Sequence, residues 1–397
     1  MTTGRVRPAR RPAALLAAAM AMLAAGVAPP LVPAAAAQAE SRDVQRVKGS
    51  DRWRTDFSQA SVPLSEILSG GPPKDGIPSI DRPKFESAGD ADWLGERDPV
   101  LVVEHGGEVK AYPLGILVWH EIVNDEVGGL PVAVTFCPLC NTSIVFEREV
   151  DGRVLDFGTT GRLRHSDLVM YDRQTETWWQ QAIGEAIVGE LTGTRLTLVP
   201  ANTLGWERAR ELYPDIRVLS RDTGFESYRR AGRYGRNPYE RYDSRRRPYE
   251  LFRGRTPDDL PALERVAAFD AGKGWAAPFG ALEREKRAEA EVEGRPVVVF
   301  WSPGAASALD ASRIAAGRDV GQSAAFDRRV DGRTLSFEPV KGSDGMFRDR
   351  QTGSTWNMAG TAMDGPLAGK RLEPVAHSNP FWFAWAAFKP DTEIWAP

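Results

Sequence analysis

Residues 129–140 read Gly129-Leu130-Pro131-Val132-Ala133-Val134-Thr135-Phe136-Cys137-Pro138-Leu139-Cys140 and contain the only two cysteines of the chain. Apolar side chains at Val132, Val134 and Phe136 alternate with smaller ones, a pattern typical of a buried strand. The sequence therefore predicts a strand over 130–136 that ends in a turn at 137–141, with both thiols on that turn.

The same stretch recurs 165 positions later with both thiols replaced. Residues 111–140 align with 276–305 without a gap, so that Cys137-Pro138-Leu139-Cys140 meets Ser302-Pro303-Gly304-Ala305. Farther along, Asp172-Arg173-Gln174-Thr175 recurs as Asp349-Arg350-Gln351-Thr352. This ordered set predicts a tandem duplication. Because the proline is kept and the thiols are not, we interpret the thiols as an addition to the scaffold that serves a function.

Each copy shows strand patterns joined mostly by hairpins, together with one or two helical patterns. The predicted fold class is α+β, a tandem duplication of a mostly antiparallel β unit with one or two helices per copy. We expect five segments: a signal peptide at 1–39, an extended N-terminal strap at 40–97, repeat copy 1 with the CPLC motif at 98–225, an Arg/Tyr-rich connector at 226–259, and repeat copy 2 without cysteines at 260–397.

The N-terminus has the pattern of an export signal. Arginines at positions 5–11 precede an apolar run over 13–27, and Ala37-Gln38-Ala39 forms a small-residue cleavage site. We expect a cleavable signal peptide, a periplasmic or secreted protein and no transmembrane segment after cleavage; the sequence leaves Sec and Tat export open. A formal net charge of −3 argues against nucleic acid as a partner.

A metal site is the first hypothesis for the thiols. Helical spacing over 114–127 places His120 on a helix directly before the cysteine strand, and copy 2 lacks this histidine as well as the thiols. Two thiolates and an imidazole suit zinc or copper, so the predicted ligands are His120, Cys137 and Cys140. His165 and Met170 are further candidates, and a thioether from Met170 would favour Cu(I). We expect no nucleotide cofactor.

Two other functions remain open. The chain could be a thiol–disulfide oxidoreductase in which Cys137 attacks and Cys140 resolves. It could also be a non-catalytic binding module in which the cysteines form a structural disulfide, although so short a ring stabilises little. A redox or metal-delivery partner in the periplasm would suit the first two hypotheses. Whether the protein is an enzyme stays open.

Four motifs together resemble the DUF3179 family of bacterial and archaeal proteins. They are Trp119-His120-Glu121-Ile122-Val123-Asn124-Asp125, Thr135-Phe136-Cys137-Pro138-Leu139-Cys140, Ser166-Asp167-Leu168-Val169-Met170-Tyr171-Asp172-Arg173-Gln174-Thr175 and Asn237-Pro238-Tyr239. The resemblance spans Thr55 to the C-terminus. It implies an exported protein of unknown function and supplies no catalytic residue. Members tend to carry Asn where this chain has His165.

Overall fold

A computed structural model describes residues 42–397, so the expected signal peptide at 1–39 lies outside the described residues. The helices are α1 (42–48), α2 (Leu114–His120), α3 (Trp206–Leu212), α4 (Glu226–Arg230), α5 (Phe279–Glu285) and α6 (Trp382–Phe388). Strands before the connector are β1 (Ile67–Ser69), β2 (Phe85–Ser87), β3 (Pro99–His105), β4 (Glu108–Pro113), β5 (Ile122–Val127), β6 (Leu130–Cys137), β7 (Thr142–Glu147), β8 (Glu149–Val150), β9 (Arg153–Val154), β10 (Phe157–Arg164), β11 (Asp167–Asp172), β12 (Trp178–Gln180), β13 (Glu185–Val188), β14 (Leu198–Val199), β15 (Ala201–Gly205) and β16 (Arg217–Leu219). Strands after it are β17 (Val266–Phe269), β18 (Trp275–Pro278), β19 (Arg287–Val292), β20 (Arg295–Ser302), β21 (Gln322–Asp327), β22 (Arg329–Val330), β23 (Arg333–Thr334), β24 (Phe337–Pro339), β25 (Met346–Asp349), β26 (Thr355–Asn357), β27 (Ala362–Asp364), β28 (Glu373–Pro374) and β29 (Glu393–Ile394).

The fold is mixed, mostly β-strands with short helices, which agrees with the predicted class at this level. Within residues 42–397 no helix is both long and apolar enough to cross a membrane.

The predicted helix over 114–127 is wrong in its second half. Helix α2 ends at His120 because Glu121 takes φ 59° and ψ −31°, outside the right-handed helical region. Strand β5 follows at once and pairs antiparallel with β6 along its whole length. β-Branched Ile122 and Val123 favour this strand, and pairing with β6 outweighs the local helical spacing.

A nine-stranded sheet joins the two halves of the chain. Its order is β19-β20-β21-β15-β3-β4-β16-β2, with β28 beside β21. The junction is the β15–β21 pair, where Thr203 lies opposite Ser323. The described part of the chain is therefore one compact unit and does not separate at the connector.

The first half also holds two smaller sheets that position the thiol turn. One has the order β14-β7-β6-β5 and the other β1-β10-β11-β12-β13. The segment at 40–97 contributes to these sheets: β1 pairs with β10, and Ile80 forms a parallel bridge with Val123 of β5. The largest hydrophobic cluster lies around these strands and includes Phe136, Cys137 and Cys140.

The second half repeats local hydrogen bonds of the first. The indole N–H of Trp179 donates to Asp172 at 3.0 Å, and that of Trp356 donates to Asp349 at 2.9 Å. In both halves the carboxylate also holds the turn that follows it. The Asp-Arg-Gln-Thr motif is thus part of the scaffold.

Candidate metal centre

The thiol turn is a tight hairpin between β6 and β7. Cys137 pairs with Thr142 across the strands, and the Cys140 N–H donates to the Cys137 carbonyl at 3.3 Å. Asn141 closes the turn with φ 54°, a conformation that asparagine tolerates. Both cysteines are free thiols and are buried, with 1% and 0% of their surface exposed.

A second hairpin lies against the thiols. Arg164 of β10 pairs with Asp167 of β11, so that His165 and Ser166 form a two-residue turn with φ 53° and 66°. Positive φ at both positions is the signature of a type I′ turn. The turn brings the Ser166 carbonyl within 3.1 Å of the Cys140 sulfur and 3.7 Å of the Cys137 sulfur.

This hairpin adds a carboxylate to the thiol pair. Ligand atoms of Cys137, Cys140 and Asp167 all lie within 4.8 Å of one another, and all three residues are buried. Asp167 Oδ2 accepts from the Gln180 amide at 2.6 Å and from the Ala182 N–H at 2.8 Å. These bonds fix the carboxylate beside the sulfur atoms.

Four buried oxygens in this neighbourhood have no hydrogen-bond partner among the described residues: Asp167 Oδ1, Ser166 Oγ, Gln180 Oε1 and Gln181 Oε1. Three of them can only accept, and a buried acceptor without a donor costs about 1–3 kcal/mol. The Gln181 amide group donates to the Thr135 hydroxyl at 2.8 Å and to the Thr142 carbonyl at 3.2 Å, which places it beside β6 and β7. Such a group of open acceptors suits a cation.

A further acid lies close to this cluster. Glu121, between α2 and β5, is buried, and burial together with the Asp167 charge raises its pKa to about 8. Burial also raises the pKa of Asp167 to about 6 and the pKa values of both thiols. Glu121, Asp167 and the two thiols are therefore harder to ionise here than in water, and a nearby positive charge would favour their ionised forms.

His120 takes a different place from the one predicted. Its Nδ1–H donates to the Pro78 carbonyl at 2.7 Å, and its Nε2 accepts from the Tyr234 hydroxyl at 2.8 Å. The Tyr234 hydroxyl also lies 2.6 Å from the Thr223 hydroxyl. Because Tyr234 belongs to the connector, its bond to His120 joins the connector to the end of α2. Both ring nitrogens are engaged, and His120 is not part of the cluster of Cys137, Cys140 and Asp167. Burial lowers its pKa to about 4, which keeps the ring neutral.

The two further candidates are not brought to the thiols as ligands either. His165 points its Nε2 toward Glu66 at 3.5 Å and packs against Phe252 and Phe388. Its positive φ explains why asparagine suits this position. Met170 is buried in the hydrophobic cluster on β11 and is not part of the ligand group.

Asp167 was missed from the sequence. It stands in the quoted motif Ser166–Thr175, but its relation to the thiols depends on how two hairpins pack. The sequence offered one signal for Asp167, the pair Ser166-Asp167 at the start of a strand. The second half has a longer connection, over 340–345, at the corresponding place.

The chemistry of the thiols follows from their burial. A thiol attacks a disulfide only as an exposed thiolate, whereas burial raises the pKa of Cys137 and that of Cys140. Contacts from other segments also cover the turn: the Phe381 N–H donates to the Cys140 carbonyl at 2.8 Å, and the Tyr242 hydroxyl to the Leu139 carbonyl at 2.9 Å. The burial of the turn hinders the approach of a protein disulfide to either sulfur.

The chain was compared with known protein families, curated proteins and solved structures. A family model described as "Protein of unknown function (DUF3179)" matches residues 74–392, which include every residue of the cluster. Neither a curated protein nor a solved structure matches the chain significantly. The chain belongs to the DUF3179 family.

Proposed function

We propose that this protein binds one transition-metal ion through Cys137, Cys140 and Asp167. The observation that carries the proposal is the buried group of three ligand atoms that lie within 4.8 Å of one another. A cation between them would allow Asp167 and the two thiols to ionise. When bound, the metal would link the β6–β7 and β10–β11 hairpins.

The donor set favours zinc over Cu(I). Zinc accepts thiolate sulfur and carboxylate oxygen in one tetrahedral site, whereas Cu(I) prefers sulfur alone. Met170 lies outside the ligand group, so its thioether gives no reason to prefer copper. Burial of both sulfurs supports a structural or cargo ion, delivered by a partner in the compartment where the protein resides.

The surrounding assignments belong to the same proposal. The N-terminal pattern supports a periplasmic or secreted protein with a signal peptide at 1–39. The matched element order and hydrogen bonds support a duplication with copies at 98–225 and 260–397, a strap at 40–97 and a connector at 226–259.

The test is a metal titration of the reduced, metal-free protein. We expect one Zn²⁺ per chain. Compared with a free dithiol of the same spacing, the protein should gain more affinity for Zn²⁺ than for Cu(I). Protons should be released on binding, because the ligands must lose them. A protein that binds no metal while its thiols are reduced would refute the proposal, and a pair that reduces and re-forms rapidly with a dithiol reductant would support the oxidoreductase alternative.

A further inference from the structure

The second half of the chain has a cavity at the position that corresponds to the thiol turn. Strands β6 and β7 are joined by residues 138–141, whereas β20 and β21 are joined by residues 303–321. This longer loop, the connector, residues 261–265 and the start of α5 line an open cavity of about 580 Å³. That volume lies within the range of small-molecule sites, which is about 300–1,000 Å³.

Two arginines that line the cavity are held in place by ion pairs. Arg265, 8% exposed, donates to Asp243 at 2.9 Å and to Ser307 at 2.7 Å. Arg318 donates to the same Asp243 at 3.1 Å and lies 3.5 Å from Asp310. Two guanidinium groups therefore share the one carboxylate that is fully buried there.

Two exposed arginines of the connector, Arg245 and Arg246, also line the cavity. Among residues 42–397, Arg245 and Arg246 have no carboxylate within ion-pair distance; Arg245 lies over the Tyr249 ring at 4.7 Å. Of the lining acids other than Asp243, Glu264 and Asp319 accept backbone N–H groups, which leaves Glu283 without a partner in the described part. The lining thus holds four arginines and four carboxylates, and Arg245 and Arg246 are the two arginines that form no ion pair with a described carboxylate.

Two aromatic side chains form another part of the cavity lining. Phe279 and Trp301 line the cavity, and Trp301 is buried with an indole N–H that has no acceptor among the described residues. Phe279 and Trp301 therefore offer an apolar surface for the body of a ligand.

We propose that this cavity binds a small organic anion, with its carboxylate or phosphate group held by Arg245 and Arg246 and its apolar body against Phe279 and Trp301. Guanidinium groups bind both anions through paired hydrogen bonds, so the shared chemistry is a planar or tetrahedral oxyanion on an aromatic or apolar body. The site is separate from the thiol cluster and does not depend on a metal there.

Phenylphosphate and benzoate, titrated by calorimetry into the reduced full-length mature protein, are suitable probes. We expect saturable binding of at least one of them, weakened about tenfold or more by Arg245→Ala/Arg246→Ala, because the variant loses the charge-assisted hydrogen bonds to the anion. Arg333→Ala/Arg348→Ala removes two exposed arginines from the same half of the chain and should leave the affinity unchanged. Glu283→Gln should bind equally or more tightly, because it removes a negative charge from the cavity.

Phenylphosphate binding alone would indicate a phosphate ligand, and benzoate binding alone a carboxylate. Absence of saturable binding for both probes would overturn the proposal. So would binding that the Arg245/Arg246 variant leaves unchanged, or that both double variants weaken equally, since the latter reflects only overall charge. Circular dichroism of each variant excludes loss of the fold as the cause.

Discussion

The thiol turn of the first half and the corresponding loop of the second half begin from the same backbone. The Glu121 N–H donates to Leu117 and its carbonyl accepts from Phe136, at 2.7 and 2.8 Å. Lys286, the counterpart of Glu121, makes the equivalent bonds with the same distances and also has positive φ, at 62°. The backbone is the same at this point, so the halves differ in the side chains and in the length of the loop that follows the strand.

The polar side chains near this turn differ between the halves in whether they find hydrogen-bond partners. In the second half, the Gln322 amide donates to Ser302 at 3.1 Å and to Pro303 at 2.8 Å, and its oxygen accepts from Gly205 at 3.0 Å. In the first half, Asp167 and its neighbours leave acceptors open beside two thiols. At the position of Cys137, the second half satisfies Ser302 and Gln322 with internal hydrogen bonds, whereas the first half leaves Asp167 Oδ1 and its neighbours without donors among the described residues.

The largest expected effect comes from removing the thiols. Cys137→Ser/Cys140→Ser should lose its metal completely, because a hydroxyl is a poor ligand for these metals. Ser302→Ala, at the counterpart of Cys137, should keep the full metal content. Elemental analysis of both proteins checks this, and equal metal in the two would remove the distinction between the halves.

Loss of the carboxylate should be the next largest effect. Asp167→Asn should weaken zinc binding by about a hundredfold or more, since loss of a partner beyond the ligands already costs about 10–100-fold. Asp344→Asn, in the connection that replaces the His165–Ser166 hairpin, is the matched control. Competition with a chromophoric chelator measures both; an unchanged affinity in Asp167→Asn would exclude this residue as a ligand.

His120 should matter for stability and not for metal content. His120→Phe leaves the Pro78 carbonyl and the Tyr234 hydroxyl without their partner, which should lower the free energy of unfolding by about 2 kcal/mol. Chemical denaturation measures this change, and elemental analysis of the folded variant should give the same metal content as the unmutated protein. Metal loss from a folded His120→Phe would restore His120 as a ligand.

The smallest expected effect is a pH dependence that Glu121 imposes on the metal-free protein. Its pKa is raised to about 8 in the folded state, so between pH 7 and 8 the folded protein holds a proton that the unfolded chain has released. Stability should therefore fall by about 1 kcal/mol as the pH rises through this interval. His120 and His377, with pKa values lowered to about 4, stay neutral in the folded state throughout.

Glu121→Gln should abolish this slope in urea denaturation at several pH values. A slope of the same size in Glu121→Gln would assign the titration to another group.

Much of the local fold is predictable from the sequence because short-range patterns determine it. Alternation over Leu130–Phe136 predicted a strand, and the structure has one at Leu130–Cys137. The helix over 114–127 failed because its end depends on a single residue, Glu121, and on pairing with β6, which local spacing does not encode.

The site was predictable only in part, for the same reason. Cys137 and Cys140 are neighbours on one turn, so their proximity follows from the sequence. Asp167 reaches them through a hairpin that is distant in the chain, and only packing reveals it. The second half lacks His120 as well as the thiols, but in the first half the His120 ring is bonded to Pro78 and Tyr234 and lies outside the group of Cys137, Cys140 and Asp167.

X-ray absorption spectroscopy of the zinc-loaded protein tests the central claim most directly. We predict two sulfur ligands at about 2.3 Å and oxygen ligands at about 2.0–2.2 Å, with one sulfur lost in each single cysteine variant and no imidazole scattering. A spectrum without sulfur, or with imidazole in the first shell, would contradict a metal centre built from Cys137, Cys140 and Asp167.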